Sequence, residues 1–211
     1  MEILLKLVDF ITSVNGMFYI AAYLIGGIPF GVIIAKKFAG VDVRASGSQS
    51  IGATNVLRVV KEKDPKLAKK LSLATFTFDA VKGALIIAIA MLTDVPEATY
   101  WTIAILAILG HCFSPFLKFH GGKGVATAIG AFLVLLPIEA LVGLGVWIIV
   151  AKTLKISSIS SLSGVLAAVI SSFFISPEIA HAPAVIIGFI IFYKHIPNII
   201  RLIKKEEKPV I

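Results

Sequence analysis

Four clusters of polar residues interrupt an otherwise apolar chain, and each carries groups suited to holding anions. The first, Arg44-Ala45-Ser46-Gly47-Ser48-Gln49-Ser50-Ile51-Gly52-Ala53-Thr54-Asn55-Val56-Leu57-Arg58, mixes small residues, hydroxyls, amides and two arginines. Small residues let a backbone approach a ligand closely, and the planar fork of arginine suits phosphate oxygens. A flexible Ser/Gly linker would share this composition. The second, Phe119-His120-Gly121-Gly122-Lys123-Gly124-Val125-Ala126-Thr127, puts glycines and a lysine where a short helix is predicted to open. Free N–H groups and the positive end of a helix dipole favour an anion at such a place. It is not a Walker A loop, because Gly124 follows Lys123 where Ser or Thr is needed, and Leu117 stands where the first glycine would be. The competing reading is a glycine-bent loop with a snorkelling lysine.

The third cluster, Lys155-Ile156-Ser157-Ser158-Ile159-Ser160-Ser161, opens a later apolar segment, where any one serine could simply cap a helix. The fourth is Tyr193-Lys194-His195-Ile196-Pro197-Asn198. His195 and Asn198 share a helix face if the helix continues, and Pro197 can break that geometry. Asp79 and Lys82 are also three apart, in a segment predicted to cross a membrane, and a structural ion pair explains them as well as function does. His111 reads equally as helix packing or site, and His181 as solvated. No histidine has metal-ligand spacing beside cysteines or carboxylates, so neither a metal nor a cofactor is expected.

The elements that must position these groups follow from composition. The chain has 211 residues, of which 58% are hydrophobic and 15% charged. Soluble domains carry about 25% charged residues, so a soluble enzyme, a disordered chain and a disulfide scaffold are all excluded. One polytopic all-α membrane domain over 1–211 is expected. Seven spans are predicted: 18–38, 71–92, 99–113, 125–136, 138–154, 159–175 and 183–203. The fourth is too short for a hydrocarbon core about 30 Å thick and is expected to start below the membrane surface, under an inserted loop. Residues 3–14 read as an interfacial helix or an extension of the first span, and not as a signal peptide.

With the N-terminus outside and the C-terminus cytoplasmic, nineteen of the twenty Lys and Arg fall on the inner side, leaving only Lys6 out. Acidic residues divide six and six, and positive charge marks the cytoplasmic face. The formal charge of +8 is therefore read as orientation, with no nucleic-acid partner. All four clusters then lie at the cytoplasmic face. Lys36 to Lys70 is read as one polar loop of functional length. A basic face at one membrane surface suits a phosphorylated cytosolic substrate and a lipid partner. A transporter more often holds its site at the midplane.

Ser46-Gly47-Ser48, Gly52-Ala53-Thr54-Asn55-Val56-Leu57-Arg58, Gly121-Gly122-Lys123-Gly124-Val125-Ala126-Thr127 and His195-x-x-Asn198 resemble, in order and spacing, the bacterial PlsY family of glycerol-3-phosphate acyltransferases. The likeness runs over essentially the whole chain. It implies an enzyme of the inner membrane that faces the cytoplasm and opens phospholipid synthesis. There, acyl phosphate embedded in the membrane lipid and sn-glycerol 3-phosphate give 1-acylglycerol 3-phosphate and phosphate. Carried over by position, Ser48, Asn55, Arg58, Lys123 and Lys155 would bind substrate. Gly121, Gly122 and Gly124 would receive a phosphate, and Ser158, His195 and Asn198 would surround the reacting hydroxyl. The family often has Gly-Asn where this chain has Gln49-Ser50, and an arginine where it has Lys155.

Soluble-type acyltransferases carry His-x4-Asp; five residues beyond the four histidines stand Phe116, Val125, Ile186 and Ile200, so that motif is absent. Alignment of two anions and stabilisation of developing charge are expected to dominate catalysis, with no acyl-enzyme. The proton goes either to His195 or to a substrate phosphate oxygen. The acyl chain is expected between helices, with Gly26, Gly27 and Gly31 forming either a groove for it or a close helix contact. The rival functions are an organophosphate transporter and a lipid-binding scaffold.

Overall fold

The computed structural model describes residues 1–207 and 209. Among them there is no strand. An amphipathic helix, α1 (Glu2–Thr12), has no buried residue and ends at Ser13, whose hydroxyl accepts from Gly16 N–H at 3.1 Å. The first apolar segment is two helices, α2 (Val14–Gly27) and α3 (Phe30–Ala39), where the sequence reading has one. Proline breaks the ladder at Pro29. The carbonyls freed at the break are satisfied from neighbouring elements: Ser114 Oγ donates to Gly27 O at 2.6 Å and Lys82 Nζ to Ile28 O at 2.9 Å. This is how broken backbone is tolerated inside a membrane.

The long polar connection contains a helix, α4 (Ala53–Lys61), so it is not one loop as read from sequence. Asn55, Val56, Val59 and Val60 form its buried face. Asp64 then caps α5 (Pro65–Ala90) by accepting from Lys66 and Leu67 N–H at 2.8 and 3.0 Å. α6 (Glu97–Cys112) and a 3-10 turn (Pro115–Leu117) lead into the glycine loop and α7 (Val125–Leu135). α8 (Pro137–Leu154) and α9 (Ser157–Ile175) form a close antiparallel pair, with Gly143 facing Gly164. α10 (Ala182–Lys194) and α11 (Ile196–Ile203) meet at a 56° bend.

The protein is an all-helical integral membrane protein. Five helical stretches are long and apolar enough to cross a bilayer, and the bent α10–α11 pair makes six. α7 is 11 residues long and too short to do so alone, as its sequence implies. It is seated against α5 by glycines: a Cβ at Gly130 would strike the Ala80 carbonyl, and one at Gly83 the Thr127 carbonyl. The main core joins α2, α5, α6, α7, α8, α9 and α10, and a second core packs α3, α4 and the start of α5. His181 is half-buried, stacked on Phe173 at 4.1 Å, where the sequence reading leaves it solvated.

Candidate active site

The ends of α4, α7, α9 and α11 converge on a cavity of about 520 Å³, within the size range of small-molecule sites. Ser48, Asn55, Arg58, Lys123, Gly124, Lys155, Ser158, His195 and Asn198 all line it. Gly121 and Gly122 stand behind this wall.

The first motif is organised by Asn55, which is 1% exposed. Its Nδ2 donates to Val43 O at 2.7 Å and Ser50 O at 2.9 Å, and its Oδ1 accepts from Ser48 N–H at 2.8 Å. Expected among the substrate contacts, Asn55 instead spends its amide on the loop that presents Ser48. Thr54 and Ser157 hydroxyls meet at 3.0 Å and tie this loop to α9. Arg44 does not reach the cavity. Its guanidinium pairs with Asp42 at 2.6 Å, and that side-chain hydrogen bond holds the Asp42 carboxyl down to about 2. Gln49 sits at φ +58°, in the left-handed region.

The glycine loop corrects a second expectation. Gly121 N–H donates to Cys112 O at 3.2 Å and Gly122 N–H to His111 O at 2.9 Å, so neither is free to receive a phosphate. These bonds fold the loop back onto the end of α6. No acceptor among the described residues faces the N–H groups of Gly124, Val125 and Ala126, and these are the unpaired donors that open α7. Gly124 lines the cavity at φ +86°, a conformation that favours glycine. The Thr127 hydroxyl, in the first turn of α7, is buried with no partner among the described residues.

On the opposite wall, Ser158 is not a helix cap: its hydroxyl donates to Glu207 Oε1 at 2.9 Å. Asn198 Nδ2 donates to the same oxygen at 2.6 Å, and Arg201 Nε to Oε2 at 2.6 Å. Sequence reasoning missed Glu207. It lies in a run of charges, Lys204-Lys205-Glu206-Glu207-Lys208, that reads as a solvated tail. With Nδ2 committed, Asn198 Oδ1 is buried and has no partner among the described residues. His195 donates from Nδ1–H to Ile191 O at 2.8 Å, which leaves the Nε2 lone pair of the neutral ring as its free function. Pro197 does break the helix, yet His195 and Asn198 both reach the cavity because the bend falls at His195. Lys155 caps α8 at φ +58° and is an exposed rim residue.

Charge in the cavity is finely placed. Burial pushes the Lys123 ammonium down to about 8, Glu207 counteracts, and Arg201, Arg58 and Lys194 add to the depression. Burial works against the Glu207 carboxylate, but hydrogen bonds from Asn198, Arg201 and Ser158 outweigh it and hold Glu207 below its usual range. The other wall is apolar: Leu73 and Phe76 of α5, Ile129 of α7, and Leu144, Trp147 and Ile148 of α8. Leu73 and Ile148 are exposed on the outer surface of their helices, so this arm reaches toward lipid. Gly26, Gly27 and Gly31 take no part in it. Cβ atoms there would meet Ala107, Pro115 and the Ile51 carbonyl respectively, so they are close-packing residues.

A family model described as glycerol-3-phosphate acyltransferase matches residues 16–205. A protein of that name from a Nitratiruptor species is 62% identical over 203 residues, covering 94% of this chain and 97% of its own. One from Sulfurimonas denitrificans is 58% identical, covering 96% and 100%. The crystal structure of PlsY (YgiH), an integral membrane glycerol 3-phosphate acyltransferase, in its glycerol 3-phosphate form superposes with a TM-score of 0.83 at 32% identity, covering 93% and 96%. Its lysophosphatidic acid form gives 0.82 at 32% identity, covering 93% and 95%. Over nearly its whole length, therefore, the chain belongs to the glycerol-3-phosphate acyltransferase family.

Proposed function

We propose that the protein transfers a fatty acyl group from acyl phosphate to sn-glycerol 3-phosphate, releasing 1-acylglycerol 3-phosphate and inorganic phosphate. The observation that carries this reading is the joining of two unlike walls in one cavity: a cationic and amide-rich wall, and an apolar arm that opens toward lipid. A cytosolic anion and a lipid-borne donor can meet there. Arg58 and Ser48 hold the glycerol phosphate, and Lys123 stands between the two phosphates. The free N–H groups at the start of α7 take the donor's phosphate. Gly121 and Gly122 shape that corner by their bonds to α6, and Asn55 shapes the loop of Ser48. Lys155 lies at the entrance. The chain works as one polytopic unit with its N-terminus outside, since eighteen of twenty Lys and Arg then lie toward the cytoplasm, Lys82 being buried and Lys6 outside. That orientation puts the cavity at the cytoplasmic face of the cell membrane. The reaction opens phospholipid synthesis.

Phosphate is a good leaving group, so the enzyme has chiefly to align two anions that repel one another. The acceptor hydroxyl oxygen forms a bond to the acyl carbon as the carbon–oxygen bond to phosphate breaks. Ser158, His195 and Asn198 surround the hydroxyl, with Asn198 held in place by its bond to Glu207. The proton passes to His195 Nε2 or to a substrate phosphate oxygen. General-base work is worth about 10²–10⁴ in rate; a loss below about tenfold in His195→Ala assigns the proton to phosphate. The deciding experiment incubates the purified protein with palmitoyl phosphate and glycerol 3-phosphate, with palmitoyl-CoA as control. Phosphate and lysophosphatidate release with the acyl phosphate alone is expected. Release from palmitoyl-CoA overturns the donor, and counterflow of labelled glycerol 3-phosphate without any turnover overturns the enzyme.

A further inference from the structure

Beneath the glycine loop lies a buried trio that the scheme above does not use. Asp79 and Lys82 on α5 and His111 on α6 are 2%, 3% and 3% exposed. Lys82 Nζ donates to Asp79 Oδ1 at 2.7 Å and to Ile28 O at 2.9 Å, and lies 2.9 Å from His111 Nδ1. An ammonium has three donors and no acceptor. Paired with a carboxylate, its third N–H can only be received by a lone pair on His111 Nδ1. That fixes the ring as the Nε2–H tautomer, because the hydrogen bond at one ring nitrogen sets the proton on the other. The trio is thus an ion pair carrying a neutral imidazole whose one remaining function is a donor.

That donor lies at the phosphate corner of the cavity. The Nε2 edge of the ring fills the space where a side chain on Gly122 would go. His111 also lines the cavity, as does Asp79, whose carboxylate is neutralised by Lys82. Nε2 has no protein acceptor among the described residues, and it is not sealed away as Thr127 Oγ1 and Asn198 Oδ1 are. The His111 backbone carbonyl meanwhile holds Gly122 N–H. Ring and main chain of one residue therefore both serve the turn that carries Lys123.

We infer that His111 is a substrate-binding residue, donating from Nε2–H to a phosphate oxygen beside Lys123, with Lys82 and Asp79 as positioning residues that hold its tautomer. The inference rests on reading this corner as a phosphate seat. It makes His111 the opposite of His195: one ring is held with a proton facing the cavity, the other with a lone pair. A neutral donor also adds no charge beside Lys123, whose own cation is already costly to bury.

The test uses the full chain in lipid nanodiscs, with inorganic phosphate as probe. Gln places its amide nitrogen near the ε position of the ring and Asn near the δ position. His111→Asn is expected to raise both the phosphate Kd and the KM for palmitoyl phosphate about tenfold or more, while His111→Gln stays within about threefold. In wild-type protein labelled with ¹⁵N-histidine, the signals lost in His111→Gln identify His111. They are expected to show a bare Nδ1 and a protonated Nε2, and phosphate is expected to move the Nε2 signal. This spectrum needs no variant at Asp79 or Lys82 to fold. A protonated Nδ1, an Nε2 signal unmoved by saturating phosphate, or unchanged constants in a folded His111→Asn overturns the inference. Lys123→Ala separates the two levels. If it weakens phosphate binding while His111→Asn does not, only the role of His111 falls; if it too leaves phosphate binding intact, the phosphate seat falls with it.

Discussion

Lys123 offers the sharpest test of the electrostatics, because its ammonium is held at about 8 by burial in a cavity where no anion among the described residues lies against it at contact distance. Only the charged form attracts a phosphate. Below about pH 8 that form predominates; each unit above leaves about one-tenth as much of it. The free-enzyme limb of kcat/KM reports this group, so kcat/KM should fall about tenfold by about pH 9 and about a hundredfold by about pH 10. The second ionisation of a phosphate monoester lies near pH 6 and does not interfere over this range. The assay is phosphate release from palmitoyl phosphate under kcat/KM conditions between about pH 7 and 10, with enzyme-free controls for donor hydrolysis. Lys123→Arg keeps its charge throughout and should lose the limb, whatever its absolute rate.

The same burial has a stability consequence with a definite sign. The folded-state value lies below the ordinary lysine value of 10.5, so at neutral pH the folded, empty enzyme carries a charge that the unfolded chain holds more cheaply. Lys123→Met removes that cost and should raise stability at pH 7 by up to about 3 kcal/mol, at 1.36 kcal/mol per unit, while abolishing phosphate binding. The gain should fade as pH rises from about 8 toward about 10.5. A flat kcat/KM profile over this range, or a Lys123→Met protein that melts below the wild type, refutes the argument.

Glu207→Ala strips the acceptor from Asn198, Ser158 and Arg201 together. It should lower kcat/KM about tenfold to a hundredfold, at roughly 1.5–3 kcal/mol for a lost charged hydrogen bond, and depress the melting temperature in detergent. Asn55→Ala leaves the Val43 and Ser50 carbonyls and the Ser48 N–H unpaired in a buried site. A cost of about 2–4 kcal/mol and a raised KM for glycerol 3-phosphate, measured beside KM for the donor, are expected. Gln49→Gly relieves a left-handed residue and should stabilise by about 0.5–1 kcal/mol with unchanged kcat; a lower melting temperature counts against the left-handed turn.

Local patterns made some of this legible and could not reach the rest. Apolar runs placed the helices, because lipid demands long uninterrupted stretches, and the shortness of 125–136 already announced α7. The break at Pro29 was written in the sequence as well, but whether α2 and α3 separate depends on Ser114 and Lys82 arriving to satisfy the freed carbonyls. Those partners lie 87 and 54 residues away, beyond any window. α4 was hidden because its polar face, Thr54 and Arg58, reads as loop until Val56, Val59 and Val60 are seen to pack. The glycine loop was found by composition, while the spending of Gly121 and Gly122 N–H groups on α6 is a tertiary fact. Glu207 meets Ser158 across 49 residues and so could not be distinguished from its charged neighbours.

Two anions must be held close together here, and the structure answers with charge placed at different depths. Arg58 sits half-exposed, and its planar fork suits the phosphate of the substrate that arrives from water. Lys123 lies deeper, where a cation is strained until a phosphate joins it. Deeper still, the Asp79–Lys82 pair contributes no net charge, with Asp79 at the floor of the cavity and Lys82 behind it holding the His111 ring. A second free lysine at that depth would deepen the depression of Lys123 and empty the site of its cation at working pH. Giving Lys82 its own carboxylate avoids this, and helix dipole, N–H groups and imidazole then supply the rest of the attraction without formal charge. On this argument, Asp79→Asn should harm the enzyme through Lys123: the unpaired Lys82 would lower the Lys123 value further, and the alkaline limb of kcat/KM should move to lower pH.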